Sequence, residues 1–253
     1  MKFKLNQEKI HSFRKDGFVR IENIISKKEA EACRLAGVNA VKNFDFRGEG
    51  SYQNRLTQIV NIWEQDEVFK GISFHKNVTS AATQLSGTSL RIFHDHMLSK
   101  KPMNGAATEW HQDRPYWPFE DEPVTLSAWI ALQDTNVEMG CMSFIPGSHY
   151  YNKLPSHSLG EPDALFKVAP ELRYIPSVTV PLKAGDCTFH YGRTAHRAAP
   201  NMTETWRMAQ TIIYIDENTI LAEKGHCVTS ALVAEGSLKV GEKLDHPRFK
   251  KVS

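Results

Sequence analysis

Short β-prone segments fill the middle of the chain, and their spacing constrains the fold more than any other feature. Seven of them follow from Ser89 onward, at 89–98, 106–111, 124–132, 141–145, 177–182, 186–191 and 206–215. Regularly spaced short strands between turn signals are typical of an all-β sandwich or barrel, whereas a parallel α/β sheet needs a helix between successive strands. The spacing therefore predicts a mainly β core.

Helical signals dominate before this β region. Residues 6–16 read as a short helix that stops at Gly17, and residues 18–21 alternate in the way a strand does. Ser26 and Glu29 have the spacing of a capping box, in which the two residues satisfy free backbone N–H groups at the start of a helix. A second helix is therefore predicted to begin here.

This second helix is expected to run to about Asn43, where the composition becomes polar. Residues 44–58 are rich in Gly, Asn and polar groups and are predicted to form a loop. Residues 61–85 are predicted to be helical, with Gly71 as a possible break between two helices, because Gly weakens a helix interior.

One domain is expected to cover residues 1–253, since β-sandwiches and barrels often reach this length as a single unit. Its helical part would cover about 1–88, its β core about 89–216, and a C-terminal extension 217–253. The tail from Lys239 is basic and is expected to be a solvated end.

Composition and charge exclude several classes of protein. The net charge of +2 gives no electrostatic reason to expect a nucleic-acid partner. No apolar run approaches the roughly 18 residues of a membrane span, and the N-terminus lacks the apolar region of a secretory signal. Cys33, Cys141, Cys187 and Cys227 are scattered, which argues against a disulfide framework and a thiolate zinc site. We expect a cytoplasmic protein, monomeric or a small homo-oligomer, with a small-molecule partner.

A possible metal site begins at Trp110-His111-Gln112-Asp113. Residues two apart on a strand point to the same side, so His111 and Asp113 can reach one ion, and His196 would come from a second strand. Two histidines and a carboxylate in this pattern form a facial triad for Fe(II) with positions left open for O2 and a co-substrate. Such pairs also arise by chance among 11 histidines and 29 acidic residues.

The residues around these ligands suggest a pocket. A Pro- and aromatic-rich stretch follows Asp113, and its Tyr116 and Trp117 either line the substrate entrance or pack the mouth of the barrel. His94 and His96 form a pair with no distant partner, so we expect them in the pocket wall rather than on a metal.

A long polar connection covers 147–176, and loops of this length often serve as lids or binding loops. His149 lies in a turn motif at its start and is expected to shape the loop. Arg114, Arg193 and Arg197 either pair with an anionic substrate or are solvated.

Arg207 follows His196 by 11 residues, inside a segment that reads as a buried strand. A buried guanidinium without a partner is costly, and its planar fork binds a carboxylate in a bidentate manner. Its partner is either an internal carboxylate or a dicarboxylate ligand, and the ligand is favoured beside a metal triad.

Taken in order, these motifs resemble those of the phytanoyl-CoA dioxygenase family of Fe(II)/2-oxoglutarate oxygenases. The resemblance covers about residues 8–216. The matching motifs are residues 13–19, 110–113, 127–132, 139–142, 145–149, 184–186, 189–190, 196, 200–201 and 207.

The resemblance implies a double-stranded β-helix (jelly-roll or cupin-like) core with flanking N-terminal helices. It implies that His111, Asp113 and His196 are the catalytic iron ligands, with 2-oxoglutarate and O2 as co-substrates. The implied reaction converts 2-oxoglutarate to succinate and CO2 and hydroxylates an unactivated C–H bond of a small molecule. No peroxisomal targeting sequence is evident, which argues against phytanoyl-CoA itself as the substrate.

For 2-oxoglutarate, the resemblance implies that Arg207 pairs with the far carboxylate and that Thr108 and Trp129 line the site. Read alone, Thr108 is a β-former and Trp129 a core aromatic. Many members carry a small hydroxyl residue where this chain has Ala198, so that hydrogen bond is in question. Related halogenases replace the metal-binding carboxylate by Ala, so Asp113 disfavours halogenation.

Two other classes of protein remain open at this point. A cupin-like isomerase or hydrolase would use the same three metal ligands without 2-oxoglutarate and would not need Arg207. A non-catalytic jelly-roll binding protein would carry a vestigial triad, but it has no reason to keep three ligands and Arg207 together.

Overall fold

The computed structural model describes residues 3–43, 56–120 and 124–252. Two antiparallel sheets form its centre. The strands are β1 (Phe18–Ile21), β2 (Thr57–Val60), β3 (Leu90–Lys100), β4 (Thr108–His111), β5 (Thr125–Ala131), β6 (Met142–Phe144), β7 (Val178–Val180), β8 (Cys187–Tyr191), β9 (His196–Ala198), β10 (Arg207–Asp216) and β11 (Lys251–Val252). All seven predicted β segments therefore contain strands.

The two sheets differ in size. The large sheet has the order β1-β8-β5-β10-β3-β11, with β2 also paired to β3, and the small sheet has the order β4-β9-β6-β7. Along the chain the strands pass back and forth between the sheets, since β3, β5, β8 and β10 belong to the large sheet while β4, β6, β7 and β9 belong to the small one. This exchange is that of a jelly roll, and it confirms the predicted fold class.

The N-terminal helices pack on the large sheet. They are α1 (Gln7–Asp16), α2 (Lys27–Asn43), α3 (Glu67–Ser73) and α4 (Lys76–Ser86). Two short helices, α5 (Ala164–Val168) and α6 (Ser230–Ala234), lie in the connection between β6 and β7 and in the C-terminal extension. Helix α2 contacts β10 and α4 contacts β5, so the apolar sides of these helices complete the main core.

The first two predicted helix boundaries are confirmed. Helix α1 ends at Gly17, whose φ of 85° lies in the left-handed region that favours glycine. At the start of α2, Glu29 accepts a hydrogen bond from the Ser26 backbone N–H at 2.8 Å, and the Ser26 hydroxyl accepts one from the Glu29 N–H at 3.2 Å. The capping box therefore forms as the spacing predicted.

The break in the second helical region was placed wrongly. Gly71 lies inside α3, and the two helices separate at Phe74 and His75 instead. The His75 side chain accepts a hydrogen bond from the Asn77 backbone N–H at 3.3 Å and so caps α4, a role that outweighs the weak helix-breaking tendency of Gly71. Residues 44–55 of the predicted loop lie outside the described residues, and the end of that loop is strand β2.

The prediction of a solvated C-terminal end is wrong. Strand β11 pairs with β3, and Phe249 is fully buried with its ring centroid 5.6 Å from that of Phe93. Asp245 accepts a hydrogen bond from Arg91 at 2.5 Å. The tail is anchored because its few apolar side chains complete a second apolar cluster, which basic charge alone did not reveal.

The long connection between β6 and β7 has its own small core. Leu165 and Leu172 are fully buried there against Ile145 and Ala195. His149 packs over Gly17 and its Nε2 lies 3.1 Å from the Arg14 carbonyl, which confirms that it shapes the loop. Across residues 3–43, 56–120 and 124–252, the helices lack the length and apolar character that crossing a bilayer requires.

Candidate functional site

A cavity of about 250 Å³ is lined by strands of both sheets. The three predicted metal ligands, the three predicted co-substrate residues and the four predicted substrate-side residues all line it. Seven of these ten residues come from five different strands, β3, β4, β5, β9 and β10, although up to about 110 positions separate them in the sequence.

The metal-ligand candidates meet at one edge of the small sheet, where β4 ends and β9 begins. His111 and His196 are direct partners in the antiparallel pairing of β4 with β9. Asp113 follows β4, and its Oδ1 lies 3.5 Å from His111 Nε2 and 3.7 Å from His196 Nε2. Gln112, between the ligands, points the other way and donates hydrogen bonds to two carbonyls of the neighbouring loop. One ligand atom from each candidate lies within 4.8 Å of the other two, close enough for one ion.

Backbone contacts fix the protonation of the two ring systems. His111 Nδ1 lies 2.7 Å from the Glu109 carbonyl, and His196 Nδ1 lies 2.9 Å from the Thr194 carbonyl. A carbonyl only accepts hydrogen bonds, so each ring in its neutral form carries its proton on Nδ1 and has an Nε2 lone pair available to an ion beside Asp113. Metal-binding histidines are commonly held in this way.

The charges at the site suit a divalent cation. Burial lowers the pKa of His196 well below its usual value, and the nearby His111 lowers it further. Burial alone would raise the pKa of Asp113, but His196 and contacts from His111 and His190 outweigh it and hold that pKa well below its usual range. The ionised carboxylate of Asp113 and the two imidazole rings together form the donor set expected for ferrous iron.

The three predicted co-substrate residues lie next to this centre. Arg207 opens β10 and is 1% exposed, with its guanidinium carbon 5.4 Å from the centroid of the Trp129 ring. Thr108 pairs with Ala198 across β4 and β9. The Thr108 hydroxyl is buried and has no hydrogen-bond partner among the described residues. A buried cation and a buried hydroxyl donor thus face the same cavity as the metal ligands.

The predicted substrate-side residues line the cavity as well. His94 and His96 share one side of β3, while Asp95 between them points to the helices and accepts hydrogen bonds from Ser73 and Gln210. Burial raises the pKa of Asp95 to about 6. The alternation of β3 therefore separates two pocket histidines from a core carboxyl group.

Tyr116 and Trp117 belong to the short turn after Asp113. The Tyr116 hydroxyl donates a hydrogen bond to the His157 carbonyl of the long connection. Trp117 is buried and belongs to the apolar cluster that the C-terminal extension completes. Both side chains line the cavity and also pack against neighbouring residues at its border. Lining the substrate entrance and packing the mouth of the barrel, the two roles left open by the sequence, are therefore compatible.

Several cavity residues were missed by the sequence analysis. His190 on β8 has its Nε2 3.7 Å from Asp113 Oδ2, and the Ser127 hydroxyl donates to that same oxygen at 3.3 Å. His190 belongs to the 189–190 motif of the family resemblance, and that motif predicted no role for it. Gln58 and His226 also line the cavity, and no sequence pattern links them to it.

The three arginines considered for an anionic substrate lie elsewhere. Arg114 donates hydrogen bonds to the Phe119 and Glu120 carbonyls, and it lines a separate small pocket with Arg193. Arg197 lies over Trp110, with its guanidinium carbon 5.3 Å from the centroid of that ring. They are not among the residues that line the main cavity.

Known proteins resemble this chain in sequence and in fold. Phytanoyl-CoA dioxygenase 1 of Oryza sativa subsp. japonica is 31% identical over 157 residues, which cover 61% of this chain and 55% of that protein. The α-ketoglutarate-dependent carbocyclase SnoK from nogalamycin biosynthesis matches with a TM-score of 0.87 and 29% identity, over 99% of this chain and 97% of its own.

A second solved structure contains the expected small molecules. The epimerase SnoN, in complex with Fe³⁺, α-ketoglutarate and nogalamycin RO, matches with a TM-score of 0.83 and 26% identity over 98% of each chain. This likeness argues against a cupin-like enzyme that does not use 2-oxoglutarate. The model of the phytanoyl-CoA dioxygenase (PhyH) family matches residues 13–209. The chain therefore belongs to the phytanoyl-CoA dioxygenase family and is an Fe(II)- and 2-oxoglutarate-dependent dioxygenase.

Proposed function

We propose that the protein hydroxylates an unactivated C–H bond of a small-molecule substrate and releases succinate and CO2. The observation that carries this proposal is the meeting of three metal-ligand atoms and the buried Arg207 in one cavity. When bound, iron with 2-oxoglutarate and O2 supplies the oxidising power for breaking the C–H bond, while the protein supplies binding, orientation and exclusion of water.

His111, Asp113 and His196 are proposed to hold the iron. The Nδ1 contacts of the two histidines with backbone carbonyls orient both rings before any metal arrives. Ser127 and His190 lie next to the second oxygen of Asp113, so that oxygen is occupied by the protein. The carboxylate is thereby positioned to offer Oδ1 to the metal.

Arg207 is proposed to bind the far carboxylate of 2-oxoglutarate, since a guanidinium fork matches a carboxylate. Trp129 lies against the guanidinium and restricts its orientation. Thr108 is proposed to supply the hydroxyl hydrogen bond that Ala198 lacks, because the two residues are direct cross-strand partners and the Thr108 hydroxyl is buried without a partner among the described residues.

Tyr116, Trp117, His94 and His96 are proposed to face the substrate. They line the cavity but lie outside the group of residues close enough to share a metal ion. A cavity wall of aromatic rings excludes water from the oxidised carbon, which prevents side reactions.

Two other outcomes are favoured by the likeness to SnoK and SnoN, which are described as a carbocyclase and an epimerase. Ring closure or epimerisation would begin, as hydroxylation does, at a C–H bond held in the cavity. The three outcomes differ in what the product contains, and not in which residues bind iron and 2-oxoglutarate.

Product analysis under ¹⁸O2 tests the proposal. A substrate would first be found by screening small acids, amino acids, acyl thioesters and uncharged ring compounds for stimulated succinate release. Hydroxylation adds one labelled oxygen atom to the product. A product that has lost two hydrogen atoms would instead show ring closure or desaturation, and one of unchanged mass would show epimerisation. Asp113→Ala is the control that removes any metal-dependent product.

A further inference from the structure

Three histidines that are not metal-ligand candidates form a contiguous wall of the cavity. His94 has its ring centroid 5.0 Å from that of His96 and 5.7 Å from that of His226. His94 and His96 come from β3, whereas His226 comes from the C-terminal extension. We call these three residues the histidine wall.

Hydrogen bonds give two wall residues a defined protonation. His226 Nδ1 accepts a hydrogen bond from the Val228 backbone N–H at 3.2 Å, and His96 Nδ1 accepts one from the Gln58 side-chain amide at 2.5 Å. A neutral imidazole accepts at one nitrogen and donates at the other. Both rings therefore carry their proton on Nε2 and present an N–H donor to a ligand.

The wall is uncharged at neutral pH. Burial lowers the pKa of His96 to about 4, with a further contribution from His226. Burial also lowers the pKa of His226 to about 4, assisted by Lys224. His94 has its pKa lowered well below the usual value by burial and then by the other two rings. The wall thus offers neutral hydrogen-bond donors and flat ring faces.

The rest of the lining adds apolar surface rather than charge. Leu98, Trp117 and Ile213 complete this part of the cavity. Apart from the histidines, the described lining residues with a formal charge are Asp113 and Arg207, and the proposed function assigns them to iron and 2-oxoglutarate. A charged substrate group would lose its hydration here without gaining an ionic partner, which is costly.

Resting on the proposed function, we infer that the substrate is an uncharged molecule with a carbonyl or hydroxyl oxygen on an apolar ring, and that His96 and His226 hold this oxygen through their Nε2–H groups. The oxygen accepts the hydrogen bonds that the two rings donate. The ring system packs against the faces of Trp117 and the wall, in the geometry that aromatic side chains favour.

Three probes with one shared ring system test the inference. They are 2-tetralone, which has a ketone; tetralin, which has no oxygen; and tetralin-2-carboxylate, which is charged. Their affinities are measured by calorimetry on the anaerobic protein loaded with Fe(II) and 2-oxoglutarate. We expect 2-tetralone to bind about tenfold more tightly than tetralin, the gain typical of a buried hydrogen bond, and the carboxylate to bind no more tightly than tetralin.

Variants of the wall identify the groups responsible. His226→Asn keeps an acceptor for the Val228 N–H and removes the Nε2–H, and His96→Phe keeps a ring without a donor. Each is expected to reduce the preference for 2-tetralone over tetralin about threefold or more. His246→Asn is the matched control, because His246 Nδ1 also accepts from a backbone N–H two residues later, at 3.2 Å, but lines a separate surface pocket.

The possible outcomes are distinct. The inference is overturned if wild-type protein shows no preference for 2-tetralone, if tetralin-2-carboxylate binds more tightly than the ketone, or if neither wall variant changes the preference. Failure of the proposed function would appear separately, as a wild-type protein that binds no 2-oxoglutarate in the presence of Fe(II).

Discussion

Two sets of histidines share one cavity and differ in the partner of Nδ1. In the metal set, His111 and His196 on the small sheet, Nδ1 faces a carbonyl, so Nε2 has a lone pair for a metal. In the histidine wall, His96 and His226 have an N–H group at Nδ1, so their Nε2 carries a proton. The group that contacts Nδ1 therefore decides whether the Nε2 of a histidine can bind a metal or donate a hydrogen bond.

Removing a residue of the metal set should have the largest effect. Asp113→Ala is expected to lower the affinity for Fe(II) at least about 100-fold and to abolish succinate formation, since even outer contacts of metal ligands change affinity 10- to 100-fold. Competition with a chromogenic chelator measures the affinity. His96→Phe should leave it within a few-fold of wild type, as should His11→Ala on the exposed side of α1. Equal losses in Asp113→Ala and His96→Phe would remove the distinction between the two sets.

The next largest effect is expected at Arg207, which belongs to neither set of histidines. Arg207→Ala should weaken 2-oxoglutarate binding about 30-fold or more, because truncating one partner of a buried charge pair costs at least about 2 kcal/mol. Arg207→Lys keeps the charge but loses the fork, so an intermediate loss is expected. Anaerobic calorimetry with Fe(II) present gives both values. An unchanged 2-oxoglutarate affinity in Arg207→Ala would show that this guanidinium has another partner.

The histidine wall should also make the fold sensitive to acid. The unfolded chain protonates His96 below about pH 6.5, whereas the folded protein does so only near pH 4, where its lowered pKa lies. The unfolded state therefore binds more protons between these values, and the free energy of unfolding falls as pH drops from 6.5 to 4. Urea unfolding at pH 7.5 and 5.0 should show a fall in the free energy of unfolding that is about 2 kcal/mol smaller in His96→Phe than in wild type. His11→Phe serves as the exposed control, and an equal change there would contradict the prediction.

The smallest effect is expected at the Thr108 and Ala198 pair. Thr108→Val keeps the shape and removes the hydroxyl, so 2-oxoglutarate affinity should fall about threefold, as for one neutral hydrogen bond. Adding Ala198→Ser should recover part of that loss, because the new hydroxyl comes from the facing strand. If Thr108→Val binds 2-oxoglutarate as tightly as wild type, Thr108 is only a strand residue.

Local signals made the metal set and the fold predictable. The separation of His111 and Asp113 by one residue predicts that they lie on one side of a strand, and the short spaced strands predicted a β sandwich or barrel. The family resemblance narrowed this fold class to a jelly roll. Arg207 could be identified because a buried strand containing an arginine needs a carboxylate partner. These inferences depend on near neighbours in the chain, which sequence patterns report well.

The histidine wall was only half predictable for the opposite reason. His94 and His96 were expected in the pocket wall, but His226 joins them through tertiary packing of a segment without regular periodicity. Phe249 was missed in the same way, because one aromatic residue in a basic tail gives no sign of its partner Phe93. The protonation of each ring was also inaccessible, since it depends on the backbone two residues away or, for His96, on the distant Gln58 side chain.

The family match ends at residue 209, whereas His226 lies beyond it, in the extension that also carries Phe249. The residues proposed for iron and 2-oxoglutarate all fall inside the matched part. Under the proposal, one part of the substrate-binding wall, His226, thus lies outside the stretch that carries the iron and 2-oxoglutarate residues, whereas His94 and His96 lie inside it. Exchanging the terminal stretch offers a short evolutionary route to a new substrate that leaves the oxidising centre intact.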